Sequence, residues 1–265
     1  MFSDAKQKST LRLGGGSRPL LLVLLAATAV TSLITASITV RAPLQANAMA
    51  VRSMADVLVN LRANRLPFGY VLVPLFMLFL QNTLKNDFDV AFVLRSRSRQ
   101  AVWRTQAVKV LCYSLLLALY FTVCGVLFGR LLTPVLINWD SPFGAYYNAT
   151  YSIDTVTTYW HVLPAFYVSS ALTLAGTGLL FMVLWWAVGH PLAPWLAVLI
   201  LQEWDTSFAT RMEMDLSLLF GRTAIDYTNW QMDSILPGFA VAAVFCLALY
   251  LAGRCLLCRR KEFYG

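Results

Sequence analysis

The chain has 265 residues, 58% of them apolar and only 13% charged, with a mean hydropathy of +0.64. A soluble domain of this length cannot bury so much apolar surface, so a water-soluble globular fold is excluded and lipid is the expected solvent. The 21 Lys and Arg outnumber the 13 Asp and Glu, for a formal net charge of +8, and in a lipid-embedded chain the placement of that excess reports orientation.

Residues 19–40 form the first long apolar run, preceded by Lys6, Lys8, Arg12 and Arg18. Ala46-Asn47-Ala48 resembles a signal-peptide cleavage site. The run of about 20 residues nevertheless exceeds the roughly 7–15 of a signal h-region, so a retained helix is expected. Next, Val51, Met54, Ala55, Leu58 and Leu61 recur at helical spacing, which predicts a helix lying in the headgroup layer. Further spans are predicted over 68–82, 108–132, 163–188 and 235–257, with a shorter run over 191–204. The runs at 68–82 and 191–204 are near the lower length limit and contain Pro74 and Pro194, so a broken or re-entrant helix fits them as well. The expected fold is an all-α polytopic membrane protein with about six transmembrane helices, forming one domain over residues 1–265.

Fourteen of the 21 Lys and Arg fall on one side of such a bundle. They are the four before the first span, then Lys85, Arg95, Arg97, Arg99, Arg104 and Lys109, then Arg254, Arg259, Arg260 and Lys261. The other side holds Arg41, Arg52, Arg62, Arg65, Arg130, Arg211 and Arg222. The bias predicts that both termini are cytoplasmic.

Chemistry-bearing residues are sparse. Cys112, Cys124 and Cys246 lie inside spans, and Cys255-Leu256-Leu257-Cys258 closes the last one. This spacing reads as helix-end thiols, since zinc would need two more ligands and both histidines lie elsewhere. His161 is placed at a span boundary and His190 in the turn Gly189-His190-Pro191-Leu192. Thr28, Thr31, Ser32, Thr35, Ser37, Ser114, Thr122, Ser169, Ser170, Thr173 and Thr177, with Gly176 and Gly178, predict close helix packing. No ionisable group is expected deep in a span, which disfavours ion-coupled transport and intramembrane proteolysis. Trp139, Tyr146, Tyr147, Tyr151, Tyr159 and Trp160 read as an interfacial aromatic belt, with a lipid or peptide contact surface as the alternative. The connection from Asp205 to Asp233, with Glu213, Asp215 and Asp226 against Arg211 and Arg222, has an acidic balance that fits a solvated loop and equally a surface that repels or attracts a cationic peptide.

The connection between the second and third spans carries the most information. Phe88 and Phe92 are four apart, Ala91 and Arg95 share their helical face, and Asp87 and Asp89 sit where a helix N-terminus favours negative charge. A short surface helix is expected there. Ser98 then caps a second helix that begins at Arg99 and rises through Trp103 and Lys109 into the third span. An ordinary positive-inside loop accounts for the arginines but not for the amphipathic element before them.

At these residues the chain resembles the ABC-2 family of ATP-binding-cassette transporter permeases. An acidic-start amphipathic element (Asp87 to Leu94) leads to a serine-arginine turn (Ser98-Arg99) and then to a basic residue opening the third span (Lys109). The run Arg95-Ser96-Arg97-Ser98-Arg99-Gln100-Ala101-Val102-Trp103 looks most like small permeases of Gram-positive bacteria. The family's usual glutamate is replaced by Asp87 or Asp89. The resemblance implies a cytoplasmic coupling helix in which Asp87, Phe88, Phe92, Arg95, Ser98 and Arg99 meet an ATP-binding-cassette subunit, and a second permease copy or paralogue beside this chain. It also implies a bacterial cell membrane and export of a lipophilic or amphiphilic compound. The chain has no Gly-x-x-x-x-Gly-Lys-Ser/Thr loop, so ATP and Mg would belong to the partner subunit, and no enzymatic activity or cofactor is expected in this chain. The alternative is a non-transporting membrane immunity or assembly factor.

Overall fold

Apolar runs without access to water must close their backbone N–H and C=O groups on themselves, and among the described residues each regular element is a helix. The computed structural model describes residues 17–41, 52–85, 99–211, 217–227, 230 and 232–257. In chain order the helices are α1 (Ser17–Arg41), α2 (Met54–Ala63), α3 (Leu66–Leu84), α4 (Arg99–Leu132), α5 (Ala145–Thr150), α6 (Tyr159–Val188), α7 (Leu192–Arg211) and α8 (Met232–Ala252). Five of them, α1, α3, α4, α6 and α8, are long and apolar enough to cross a membrane, the architecture of a multi-pass membrane protein. The sixth expected run lies in α7, which is 20 residues long but carries Glu203 and Asp205 in its second half and is not among the five.

α4 and α6 run together through the centre, with α1 packed on α4 and α8 on α6. At one end the start of α4 meets the ends of α6 and α8. Trp103 lies under Gly253 and meets Trp186 edge-on at 5.8 Å, and Trp186 Nε1 donates to Gln106 Oε1 at 2.8 Å. Arg104 and Arg254 share a cleft here; this is the basic end. At the opposite, aromatic end Trp139 stacks on Tyr146 and is met edge-on by Tyr227 and Trp230.

Small side chains behave in α1 as expected. Leu24, Thr28, Ser32, Thr35 and Thr39 form a buried stripe, while Leu22, Val30, Ile34 and Ile38 are exposed on the rest of the helix, as lipid-facing residues would be. Thr28 and Thr39 donate to the carbonyls of Leu24 and Thr35 one turn back, so their hydroxyls need no other partner. Both flagged prolines sit where a helix tolerates them. Pro194 is in the first turn of α7, where its missing N–H has no partner to lose. Pro74 falls where a π-helical turn over Leu66–Leu72 passes into regular α-helix. Gly189, at φ 82°, ends α6 in the left-handed conformation that favours glycine, as the predicted tight turn requires.

Three expectations are corrected. α2 does not lie in the headgroup layer: Met54 to Val59, Leu61 and Arg62 are all buried, and the helix packs against α1, α4 and α6. Two glycines of α4 permit this close approach, because a side chain at Gly125 would meet Leu58 and Leu61, and Met54 sits over Gly129. The described part of the connection after α7, residues 217–227, is not a solvated loop, since Ser217, Leu219, Phe220, Thr223 and Ile225 are buried. The aromatic belt is only partly a belt. Trp139, Tyr146 and Tyr159 are buried, and only Tyr151 and Trp160 among the large exposed rings of that group face outward.

Candidate functional site: a buried arginine at a helix break

The site is built from the aromatic end inward. Ser53 caps α2 through a reciprocal pair in which Ser53 N donates to Asp56 Oδ2 at 2.7 Å and Asp56 N donates to Ser53 Oγ at 3.4 Å. The first free N–H groups of the helix, those of Met54 and Ala55, donate to the carbonyls of Val135 and Leu136 at 2.8 and 3.0 Å. Asp56 Oδ1 accepts from Trp139 Nε1 at 2.8 Å and from the Tyr227 hydroxyl at 3.1 Å. One buried carboxylate thus joins α2, the post-α4 loop and the strand of chain leading to α8. Burial pushes the Tyr227 hydroxyl well above its usual range, and the neighbouring Asp56 charge raises it further, so it remains a neutral donor.

From this anchor α2 descends to Arg62 and stops. Asn64 is extended (φ −74°, ψ 121°), its Oδ1 accepts from Leu66 N at 3.0 Å, and Pro67 has no N–H to return to Ala63. Beyond this break the chain resumes as α3 at Leu66, so residues 54–84 are two helical pieces joined through Asn64 and Arg65.

Arg62 lies in the last turn of the first piece. Its Nε donates to Ser169 Oγ at 2.7 Å, and its Nη2 donates to Thr173 Oγ1 at 2.7 Å and Thr223 Oγ1 at 2.9 Å. The guanidinium lies 4.2 Å from the ring centroid of Phe68, within cation–π range. The hydroxyls are aimed by the backbone: Ser169 donates to the Thr223 carbonyl, Thr173 to that of Ser169, and Thr223 to that of Leu219. A hydroxyl whose proton is committed in this way turns its lone pairs toward the cation. Ser169 and Thr173 stand about 15 and 21 Å along α6 from Tyr159, at ~1.5 Å per residue, so the charge sits well inside the bundle.

The turn that supplies Thr223 is pinned from two sides. Asp205 of α7 accepts from Ser217 Oγ at 2.9 Å and from the backbone N–H groups of Leu218 at 3.0 Å and Phe220 at 2.6 Å. Gly238 of α8 lies so close that a Cβ there would be 2.5 Å from the Arg222 carbonyl oxygen. Beside Arg62 opens a cavity of about 330 Å³, whose lining includes Arg65, Phe68, Gly69, Gln202 and Asp226. Arg65 pairs with Glu203 at 3.3 Å, and among the described residues no ion pair is formed by Arg62.

Of the residues expected to couple to a partner, Asp87, Phe88, Phe92, Arg95 and Ser98 lie outside the described residues. Arg99 opens α4 at the basic end, ahead of the predicted span start at 108, as the expected helix from Arg99 through Lys109 requires. His161 serves the N-cap of α6, its Nδ1 accepting from Thr158 N at 3.2 Å, and His190 is exposed in the following turn. Cys112, Cys124, Cys246 and Cys255 are free thiols, and Cys258 lies outside the described residues. Sequence reasoning missed Arg62 and assigned Ser169 and Thr173 to helix packing alone. Compared with known proteins, the chain matches no family model, no curated protein sequence and no solved structure.

Proposed function

We propose that this chain is the membrane-spanning permease subunit of an ATP-binding-cassette exporter in a bacterial cell membrane, with both termini cytoplasmic. The observation that carries the reading is the basic connection from Lys85 to Lys109, with its acidic, aromatic start and serine-arginine turn. Two structural features support it. α4 begins at Arg99, roughly 13 Å before the apolar run proper at ~1.5 Å per residue. Arg104 and Arg254 line one cleft at that same end, where a partner subunit would dock. A second permease copy or paralogue completes the transporter, and the partner supplies ATP and Mg. The cargo is lipophilic or amphiphilic, in keeping with mostly apolar spans.

The double change Phe88→Ala and Phe92→Ala is expected to reduce copurification of an ATP-binding subunit from native membranes at least tenfold, with the amount of inserted chain unchanged. Equal copurification would remove the docking role, and the absence of any ATP-binding subunit from unaltered preparations would favour a non-transporting assembly or immunity factor. A single cysteine at Ser98 is expected to resist membrane-impermeant maleimide on intact cells and to react after permeabilisation. Ready labelling from outside would invert the orientation.

A further inference from the structure

We propose that the cavity at the α2–α3 break is a binding site for the phosphate-bearing head of an amphiphile, which enters sideways between α3 and α7 and places its anionic group on Arg62. The inference concerns the chain alone and does not depend on an ATP-binding partner.

Arg62 is only 7% exposed, yet it lines the cavity. Its three hydrogen bonds use Nε and Nη2, and Nη1 takes part in none of them. Among the described residues this buried guanidinium has no paired counterion, which is costly in an apolar bundle, and three hydroxyls and one ring lower that cost without supplying negative charge. Phosphate oxygens would supply it at Nη1, the nitrogen that these three bonds leave unused.

A second buried polar group belongs to the lining of the same cavity. Gln202 is 5% exposed, lines the cavity, and its Oε1 has no hydrogen-bond partner. A buried unpaired acceptor and a cation with no ion pair among the described residues, in the lining of one cavity, call for a ligand that is anionic and also carries a donor, such as the hydroxyl of a phosphoglycerol head. The cavity is several times the roughly 30 Å³ share of one water molecule.

The surroundings favour an amphiphile over a free ion. Arg65, which lines the cavity, joins α3's start to α7 by pairing with Glu203, their side chains 40% and 41% exposed. Leu66 and Tyr70 of α3 and Ile200 and Trp204 of α7 are exposed apolar residues on the two helices that supply Phe68, Gly69 and Gln202 to the cavity. A lipid with its head inside would therefore lay its tails on an apolar surface. Asp226 also lines the cavity and disfavours a dianion, which suits a phosphodiester better than inorganic phosphate.

The test is binding to the purified full-length chain in detergent, read by thermal shift and native mass spectrometry. The probes are dihexanoyl phosphatidylglycerol, dihexanoyl phosphatidylcholine and inorganic phosphate. Saturable binding of the glycerol lipid is expected at least tenfold tighter than of inorganic phosphate and about threefold tighter than of the choline lipid, whose head has no donor for Gln202. Arg62→Met should weaken the glycerol lipid at least tenfold, with Arg62→Lys restoring part of the loss. Gln202→Leu, which removes an acceptor that has no partner in the fold, should weaken it about threefold while leaving the chain folded. Equal binding of both lipids, or unchanged binding in Gln202→Leu and Arg62→Met, would overturn the proposal. Inorganic phosphate binding as tightly as the lipid would overturn the amphiphile and leave a free-anion site.

Discussion

Gly238→Ala is expected to lower the stability of the purified chain by roughly 2 kcal/mol, although helix propensity alone would raise it by about 1. The new Cβ would lie 2.5 Å from the carbonyl oxygen of Arg222, a backbone atom and not the tip of a flexible side chain. Relief requires the turn over 217–223 to back away from α8. It cannot do so freely, because Asp205 holds its N–H groups and Leu219 is seated against Gly176 of α6. A retreat would take the Thr223 hydroxyl from Arg62 Nη2, now at 2.9 Å, and weaken the only contact the post-α7 connection makes with the guanidinium among the described residues. Thermal unfolding in detergent decides the matter by sign. A stabilised Gly238→Ala chain would mean that the turn is not seated on α8 and that the third hydroxyl of the arginine site is absent.

The membrane helices were legible because lipid forces a simple rule on the chain: each long apolar run must be a helix, and its length reports whether it can cross. The start of α4 at Arg99 was legible for a different reason, a polar turn followed by helical spacing. Arg62 was not legible, because its surroundings come from residues more than a hundred positions away, and Ser169 and Thr173 look like ordinary packing hydroxyls in isolation. A weak signal did exist. Asp56 and Arg62 interrupt the ten-residue run Met54–Ala63 directly before a proline-containing span. Charges flanking apolar residues suggest an interfacial helix when the run is read alone. They mark a buried half-helix once Gly125 and Gly129 open a groove to receive it, and the sequence of α2 by itself does not disclose that groove. The folding-in of 217–227 was hidden in the same way, since its anchor Asp205 reads as one more acidic loop residue until the turn's N–H groups are placed around it.

Asp56→Ala is expected to cost more, roughly 3–5 kcal/mol, because it strands Trp139 Nε1, the Tyr227 hydroxyl and the Ser53 N–H without acceptors in a buried cluster. Asp56→Asn should cost less: one oxygen still serves two of those donors, but its amide NH₂ faces another N–H. The pair of variants also carries a pH signature. Burial holds the Asp56 carboxyl above its ordinary 3.8, against the opposing pull of hydrogen bonds from Ser53, Trp139 and Tyr227. The folded chain therefore keeps this proton to higher pH than the unfolded chain does. The resulting contribution is fully present below 3.8 and is lost as pH rises through the folded-state value. Asn cannot titrate, so the stability advantage of the unaltered chain over Asp56→Asn is expected to shrink as pH rises from about 4 toward neutrality. An advantage that grew with pH would show that the three donors outweigh burial and stabilise the anion, and the aromatic end would then be built around a permanent negative charge.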